Sequence, residues 1–322
     1  MKIARIEVES FQGAPDGAYD FCRDGGVAPW TAVVGAPRAG KSSVLGAIAR
    51  AKEVVGPGGV ALGGPRVLRH GAVSGRVEAT WLLDVAEAEA ARVSDVLVAT
   101  RWTFSSDRSS VDAPAGLRKL FSTFSRSDAV AKLEVIPEQL STEAAREVPE
   151  VAALRSARGA PRAGKYTWAP AALKQALLGE AVALRGELRD KGLVLEGETT
   201  DSSARYRQAI SAVAPHLSLG VVADLGAGLE PTFVAAAHPG GIGWSSLAAS
   251  DRQALAIAIA GTYLGLSRSL LLWDSPDRTC GAGTHGALLR AIMTLFPDAQ
   301  LVMSLDAATP TPEHAKVLAL GR

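Results

Sequence analysis

Residues 30–55 read "WTAVVGAPRAGKSSVLGAIARAKEVV". "WTAVVG" is a short apolar run ending on a glycine, the pattern of a buried strand. "SSVLGAIARAKEVV" follows with apolar residues at helical spacing. Between them, "GAPRAGKSS" has the form G-x-x-x-x-G-K-[ST], and it stands after a strand and before a helix, the context that gives this form its meaning. Gly35 and Gly40 let the loop of Ala36, Pro37, Arg38 and Ala39 wrap closely around phosphates. Backbone N–H groups, those at the helix start near Ser43 included, then face the anion. Lys41 is placed to reach the β- and γ-phosphates, and the Ser42 hydroxyl to ligate Mg²⁺. ATP and Mg²⁺ are the expected ligands.

The string "GAPRAGK" recurs without change at residues 159–165. There Tyr166 stands where the Mg²⁺-binding hydroxyl belongs, and "EAAREVPEVAALRSAR" before it lacks the character of a buried strand. Pro170 limits any helix that begins after Lys165. The second copy therefore reads as a basic surface loop and not as a second nucleotide site. From residue 151 to 179 there is no acidic residue, while Arg155, Arg158, Arg162, Lys165 and Lys174 give a local charge of +5. Such a stretch reads equally as a contact for nucleic acid or a partner and as a solvated basic surface.

Composition narrows the rest. The chain has 322 residues, 48% of them hydrophobic, and a formal net charge of +1. It can bury a sizeable core, and any nucleic-acid role must come from a local patch. Two cysteines, Cys22 and Cys280, are too few for a disulfide framework, and the five histidines are scattered. The most apolar stretch, "ALAIAIAGTYLGL", is about 13 residues, too short to span a bilayer. A soluble, cytoplasmic protein with no membrane contact is expected.

Along the chain, "KIARIEVESF", "GAYDFC", "GRVEATWLLDV" and "DVLVATRWTF" have strand patterns, and residues 107–136 are mixed. "LSLGVVADL" and "PTFVAAA" look like a strand pair. "LAASDRQALAIAIAGTYLGL" and "GTHGALLRAIMTLF" look like helices, and "SLLLWD", "AQLVMSL" and "AKVLAL" like strands. Strand–helix alternation predicts an α/β core with a largely parallel sheet. Three segments follow: residues 1–136 with the phosphate loop, a basic helical insert over 137–199, and a second lobe over 200–322. A P-loop protein needs a carboxylate at the end of a buried strand to hold the Mg²⁺ shell, and "SLLLWDSPD" supplies Asp274.

Taken in order, these segments resemble an ABC-type ATPase head of the SMC/RecF branch, the chromosome-associated and defence ATPases. "VESFQG" is similar to that family's N-terminal strand, "GAPRAGKSSVLGAIA" to its Walker A motif, and "VLRHGAVSGRVEATWLL" to the segment after the first helix. "SSLAASDRQALAIAIA" is similar to its signature region, "LLLWDSPD" to its Walker B motif, and "AQLVMSLD" to its switch strand. The resemblance covers residues 1–105 and 200–322, and the insert is far too short for a long coiled coil. It implies a two-lobed head that pairs head to tail around ATP, as a homodimer or with a partner protein, in DNA repair, segregation or defence.

Several positions depart from that pattern. Ser275 follows Asp274 where the family has its catalytic glutamate, and serine cannot act as a base near neutral pH. Asp277, two residues further, is the alternative carboxylate, at a different direction and reach. In the signature, Ala248 replaces the serine and Ser250 the glycine, while Asp251 falls at the glutamate. Asp306 stands at the switch histidine. Two readings stay open: a slow ATPase that switches on ATP, and an ATP-binding scaffold that does not hydrolyse. An unrelated P-loop class, such as a small-molecule kinase, is a third.

Overall fold

The computed structural model describes residues 1–56, 67–122, 133–136, 211–217, 219–222, 232–235, 238–243, 247, 251, 266–280 and 285–321. The insert over 137–199 lies outside the described residues, and with it Arg155, Arg158, Arg162 and Lys165; so do Ala248 and Ser250.

The N-terminal segment alternates because it lies half-buried. In β1 (Lys2–Glu9), Ile3, Ile6 and Val8 are buried while Arg5 and Glu9 face water. Ile3 and Ala4 are both buried where the register with the strand over Ser74–Leu82 shifts, the mark of a bulge. β2 (Gly17–Asp20) pairs with β1, and a small ribbon of β3 (Cys22–Arg23) and β4 (Gly26–Val27) leads to β5 (Trp30–Gly35). After the helix α1 (Lys41–Glu53) come β6 (Ser74–Leu82), α2 (Val85–Ala91), β7 (Leu97–Ser105), β8 (Ser109–Asp112) and α3 (Ala115–Ser122). The strands β2-β1-β6-β7-β8 form a fully antiparallel sheet in that order. Its inner face carries Trp81, Trp102 and Phe104. Phe11 meets Trp102 and Phe104 edge-on at 6.1 Å each, and Phe121 meets Trp81 at 5.4 Å. Its outer face carries ion pairs such as Arg76–Glu7 and Arg101–Glu78, exposed and so worth little for stability.

The rest of the described chain adds β9 (Leu133–Ile136), the hairpin strands β10 (Leu219–Val222), β11 (Thr232–Ala235) and β12 (His238–Gly243), then β13 (Leu270–Trp273), α4 (Pro276–Cys280), α5 (His285–Leu295), β14 (Gln300–Asp306) and β15 (Lys316–Ala319). A second five-stranded sheet, ordered β15-β5-β14-β13-β9, is parallel throughout. Its central strands are continuous apolar runs, as strands covered on both faces must be. This sheet draws β5 and β9 from the first 136 residues and the other three strands from beyond residue 269. The expected parallel sheet is present, but most strands of the first hundred residues build the antiparallel one.

Helix α1 lies between the two sheets, touching β1, β6 and β7 on one side and β5, β13 and β14 on the other. Val44, Leu45, Ala47, Ile48, Ala49 and Ala51 are its buried apolar residues, with Lys41 and Lys52 buried beside them. Gln300 ties the sheets directly. Buried at the start of β14, its side-chain oxygen accepts from the Ile3 N–H at 2.7 Å and its amide donates to the Ile3 carbonyl at 3.0 Å. The phosphate-loop helix is thereby held in a core with walls on both sides.

Candidate functional site

In open parallel sheets, ligands sit beyond the carboxyl ends of the strands. The register brings three such ends together here. Asp306, last in β14, is opposite Gly35, last in β5, and Trp273 of β13 is opposite Met303 of β14. β14 thus separates the phosphate-loop strand from the strand that leads to Asp274, and Gly35, Asp306 and Asp274 face one edge of the sheet.

The loop itself is a tight turn. Ala39 N–H donates to the Ala36 carbonyl at 3.1 Å, and Val44 N–H to Gly40 at 3.0 Å. Gly40 takes φ +91°, a conformation that glycine adopts without strain. A Cβ there would lie 2.0 Å from the Gly13 carbonyl oxygen, so no other residue fits. At Gly35 a Cβ would meet Ala39 at 3.0 Å. Gly40 at the N-cap has no side chain to cap α1, and the first N–H groups of a helix so begun suit an anion. Lys41 is only 8% exposed; its Nζ donates to the carbonyls of Gly35 at 2.7 Å and Ala36 at 2.9 Å. An ammonium held on loop carbonyls beside that helix start is placed to exchange those partners for phosphate oxygens. Ser42 is exposed and Ser43 half-buried behind it.

Across β14, a hydroxyl organises the acidic side. Ser304, fully buried, donates to Asp274 Oδ1 and accepts from the Ser275 N–H at 2.9 Å. Ser275 takes φ +50°, so the chain turns sharply just after Asp274. Asp277 faces the end of β14. Its Oδ2 accepts from the Asp306 N–H at 3.1 Å and from the Thr309 hydroxyl at 2.7 Å, while its Oδ1 is buried without a partner. Ala307 N–H closes the arc by donating to the Gly35 carbonyl at 3.2 Å.

Of the residues singled out from sequence, Gly35 to Ser43, Asp274, Ser275, Asp277 and Asp306 gather at this edge. Asp251 is helical and half-buried. Gln12, in "VESFQG", and His70, in "VLRHGAVSGRVEATWLL", are exposed. Sequence reasoning missed Ser304, whose only signal is one hydroxyl inside the apolar run "QLVMSL". It also missed Thr309, while Gly13 entered only as the last residue of "VESFQG". Among the described residues no three His, Cys, Asp or Glu side chains cluster into a metal cage. Mg²⁺ that arrives with phosphates needs no such cage, only one or two protein oxygens, and the Ser42 hydroxyl and the Asp274 carboxylate are the oxygens that could serve.

Two solved structures share this architecture. The Smc head bound to the C-winged helix domain of ScpA superposes with a TM-score of 0.58 at 13% identity, over 100% of this chain and 95% of that one. The Smc head domain with an extended coiled coil, bound to the C-terminal domain of ScpA from Pyrococcus furiosus, gives 0.52 at 12% identity, over 94% and 89%. At such identities the likeness is one of fold. The chain shares the mixed α/β fold of these Smc head domains. No family model matches the chain, and no curated protein matches it. No helix among the described residues is long and apolar enough to cross a membrane.

Proposed function

We propose that this chain is an ATP-binding head of the ABC/SMC-like kind, an ATP-dependent dimerisation switch that hydrolyses slowly and acts with a partner protein. The observation that carries the reading is Lys41, buried at an uncapped helix start beside Gly35, with the Asp274 carboxylate two strands away in the same sheet. Backbone N–H groups from the loop to Ser43 and the Lys41 ammonium would bind the phosphates. Ser42 and Asp274 would hold Mg²⁺, which neutralises the phosphate charge. Ser275 supplies no base, and loss of a general base lowers a rate by about 10²–10⁴-fold. Asp277 is committed to the Asp306 N–H and Thr309, which turns its carboxylate toward the end of β14 and away from the base role. ScpA is bound by both superposed heads, and a partner protein is the corresponding expectation for this one. DNA contact through the basic residues Arg155, Arg158, Arg162 and Lys165 belongs to the same reading.

Ser275 also favours a second reading, a scaffold that binds ATP without turnover. ATP affinity measured beside turnover, in the unaltered chain and in Lys41→Ala, tests both. The expected result is tight Mg²⁺-ATP binding, turnover far slower than binding, and loss of binding in Lys41→Ala. Binding that survives Lys41→Ala would overturn both readings. Turnover that Lys41→Ala leaves unchanged would leave only the scaffold.

A further inference from the structure

The loop over residues 10–16 and the segment 67–72 carry no part of the function above, yet they meet directly beneath the phosphate loop. Arg69 forms a two-pronged pair with Asp16: Nη1 to Oδ2 at 2.9 Å and Nη2 to Oδ1 at 2.8 Å. The same guanidinium donates to the Ala14 carbonyl at 2.5 Å and the Gln12 carbonyl at 3.4 Å. Asp16 Oδ1 also accepts from the Ser10 N–H at 2.6 Å. These bonds, the Arg69 hydrogen bonds first, hold the Asp16 carboxyl below the usual carboxylate range. Backbone bonds join the segments as well, Gln12 N–H to Val67 and Arg69 N–H to Ser10, both at 2.9 Å. Ser10 and Gln12 sit at φ +52° and +41°, conformations that persist in non-glycine residues only where surroundings impose them.

What this clamp fixes is Gly13. Its carbonyl lies against Gly40, and a Cβ on Gly13 would be 3.2 Å from the Ser43 hydroxyl. The Pro15 ring closes on Gly40 from the same side, 2.8 Å from where a Cβ would stand. Gly40 is the hinge between phosphate loop and α1, so the 13–15 stretch forms its floor. Arg69 and Asp16 are 36% and 49% exposed, so solvent screens the charge part of their attraction. A two-pronged guanidinium–carboxylate pair is strongly directional, and that is the property a positioning device uses.

We propose that Arg69 and Asp16 are positioning residues for the phosphate loop: they hold residues 12–15 as its floor and so set ATP affinity from outside the motif. The proposal rests on the ATP-binding reading above. The test uses the full chain with Arg69→Ala, Asp16→Asn, the double variant and Arg69→Lys, and reads three quantities. These are Mg²⁺-ATP affinity by equilibrium titration, the unfolding midpoint without nucleotide, and amide exchange of residues 39–43. Each single variant is expected to weaken affinity roughly tenfold, with the double variant no worse than either, the coupling expected of groups acting as one unit. Arg69→Lys, a point charge without the fork, should recover part of the loss. Exchange at residues 39–43 should quicken while the midpoint barely moves. Unchanged affinity, or additive losses that track the midpoint, would overturn the clamp and leave the ATP-binding reading intact. An unaltered chain that binds no ATP would overturn that reading, and the clamp with it.

Discussion

Arg38 stands at the exposed tip of the phosphate loop with φ +68°. A residue with a Cβ spends about 1–2 kcal/mol to stay left-handed. Glycine would remove that strain, though its freer unfolded chain gives back about 0.5–1 kcal/mol. Arg38→Gly should therefore raise stability by about 0.5–1 kcal/mol, seen as a higher urea midpoint at unchanged slope. A lower midpoint would mean that the arginine makes a contact worth more than its strain. Ser275 is a contrasting left-handed residue. Its φ of +50° is tied into the site, because its N–H donates to Ser304. The serine that displaces the expected glutamate thus still has a place, as part of the turn that presents Asp274.

At the scale of elements, β13 and β14 are joined at their ends by the Ser304 hydroxyl, which serves Asp274 and Ser275 together. Ser304→Ala would leave a carboxylate oxygen and an N–H short of a partner, at about 1–3 kcal/mol. Stability should fall by that amount, and more Mg²⁺ should be needed to support ATP binding, because Asp274 loses its fixed orientation. Denaturant unfolding and a Mg²⁺ titration of nucleotide affinity check the two effects. Asp274 was visible in the sequence because "SLLLWD" ends a local apolar run. Ser304 was not, because its role depends on a partner 30 residues away. The same distinction runs through the elements. The turn from β5 to α1 is local, and its residues announce it. β12 is "HPGGIG", poor in strand formers, and is a strand because β11 pairs with it at the edge of its sheet. The division into one parallel and one antiparallel sheet was equally hidden, since period-two patterns mark a strand and not its neighbour. The Asp16–Arg69 clamp spans 53 residues and left no local trace beyond a basic residue near a glycine.

At the scale of the molecule, the rim of the site is exposed. Ala36, Pro37, Arg38 and Ser42 are all exposed, while the helix behind them is clasped between two sheets. A second head is the surface that the proposed switch requires. A ligand that contacts both heads in the paired state binds that state more tightly, and it shifts the equilibrium only by this difference. Sedimentation velocity should show a single chain without nucleotide and pairs with Mg²⁺-ATP. On the proposed reading Ser275 supplies no base, so pairs should persist far longer than mixing takes. Lys41→Ala should remain single at any ATP concentration. Arg69→Ala should still pair, at ATP concentrations higher by the factor it loses in affinity, which ties the clamp to the assembly through binding alone. A chain that stays single at saturating Mg²⁺-ATP, while ATP affinity is intact, would remove the switch and leave an ATP-binding scaffold.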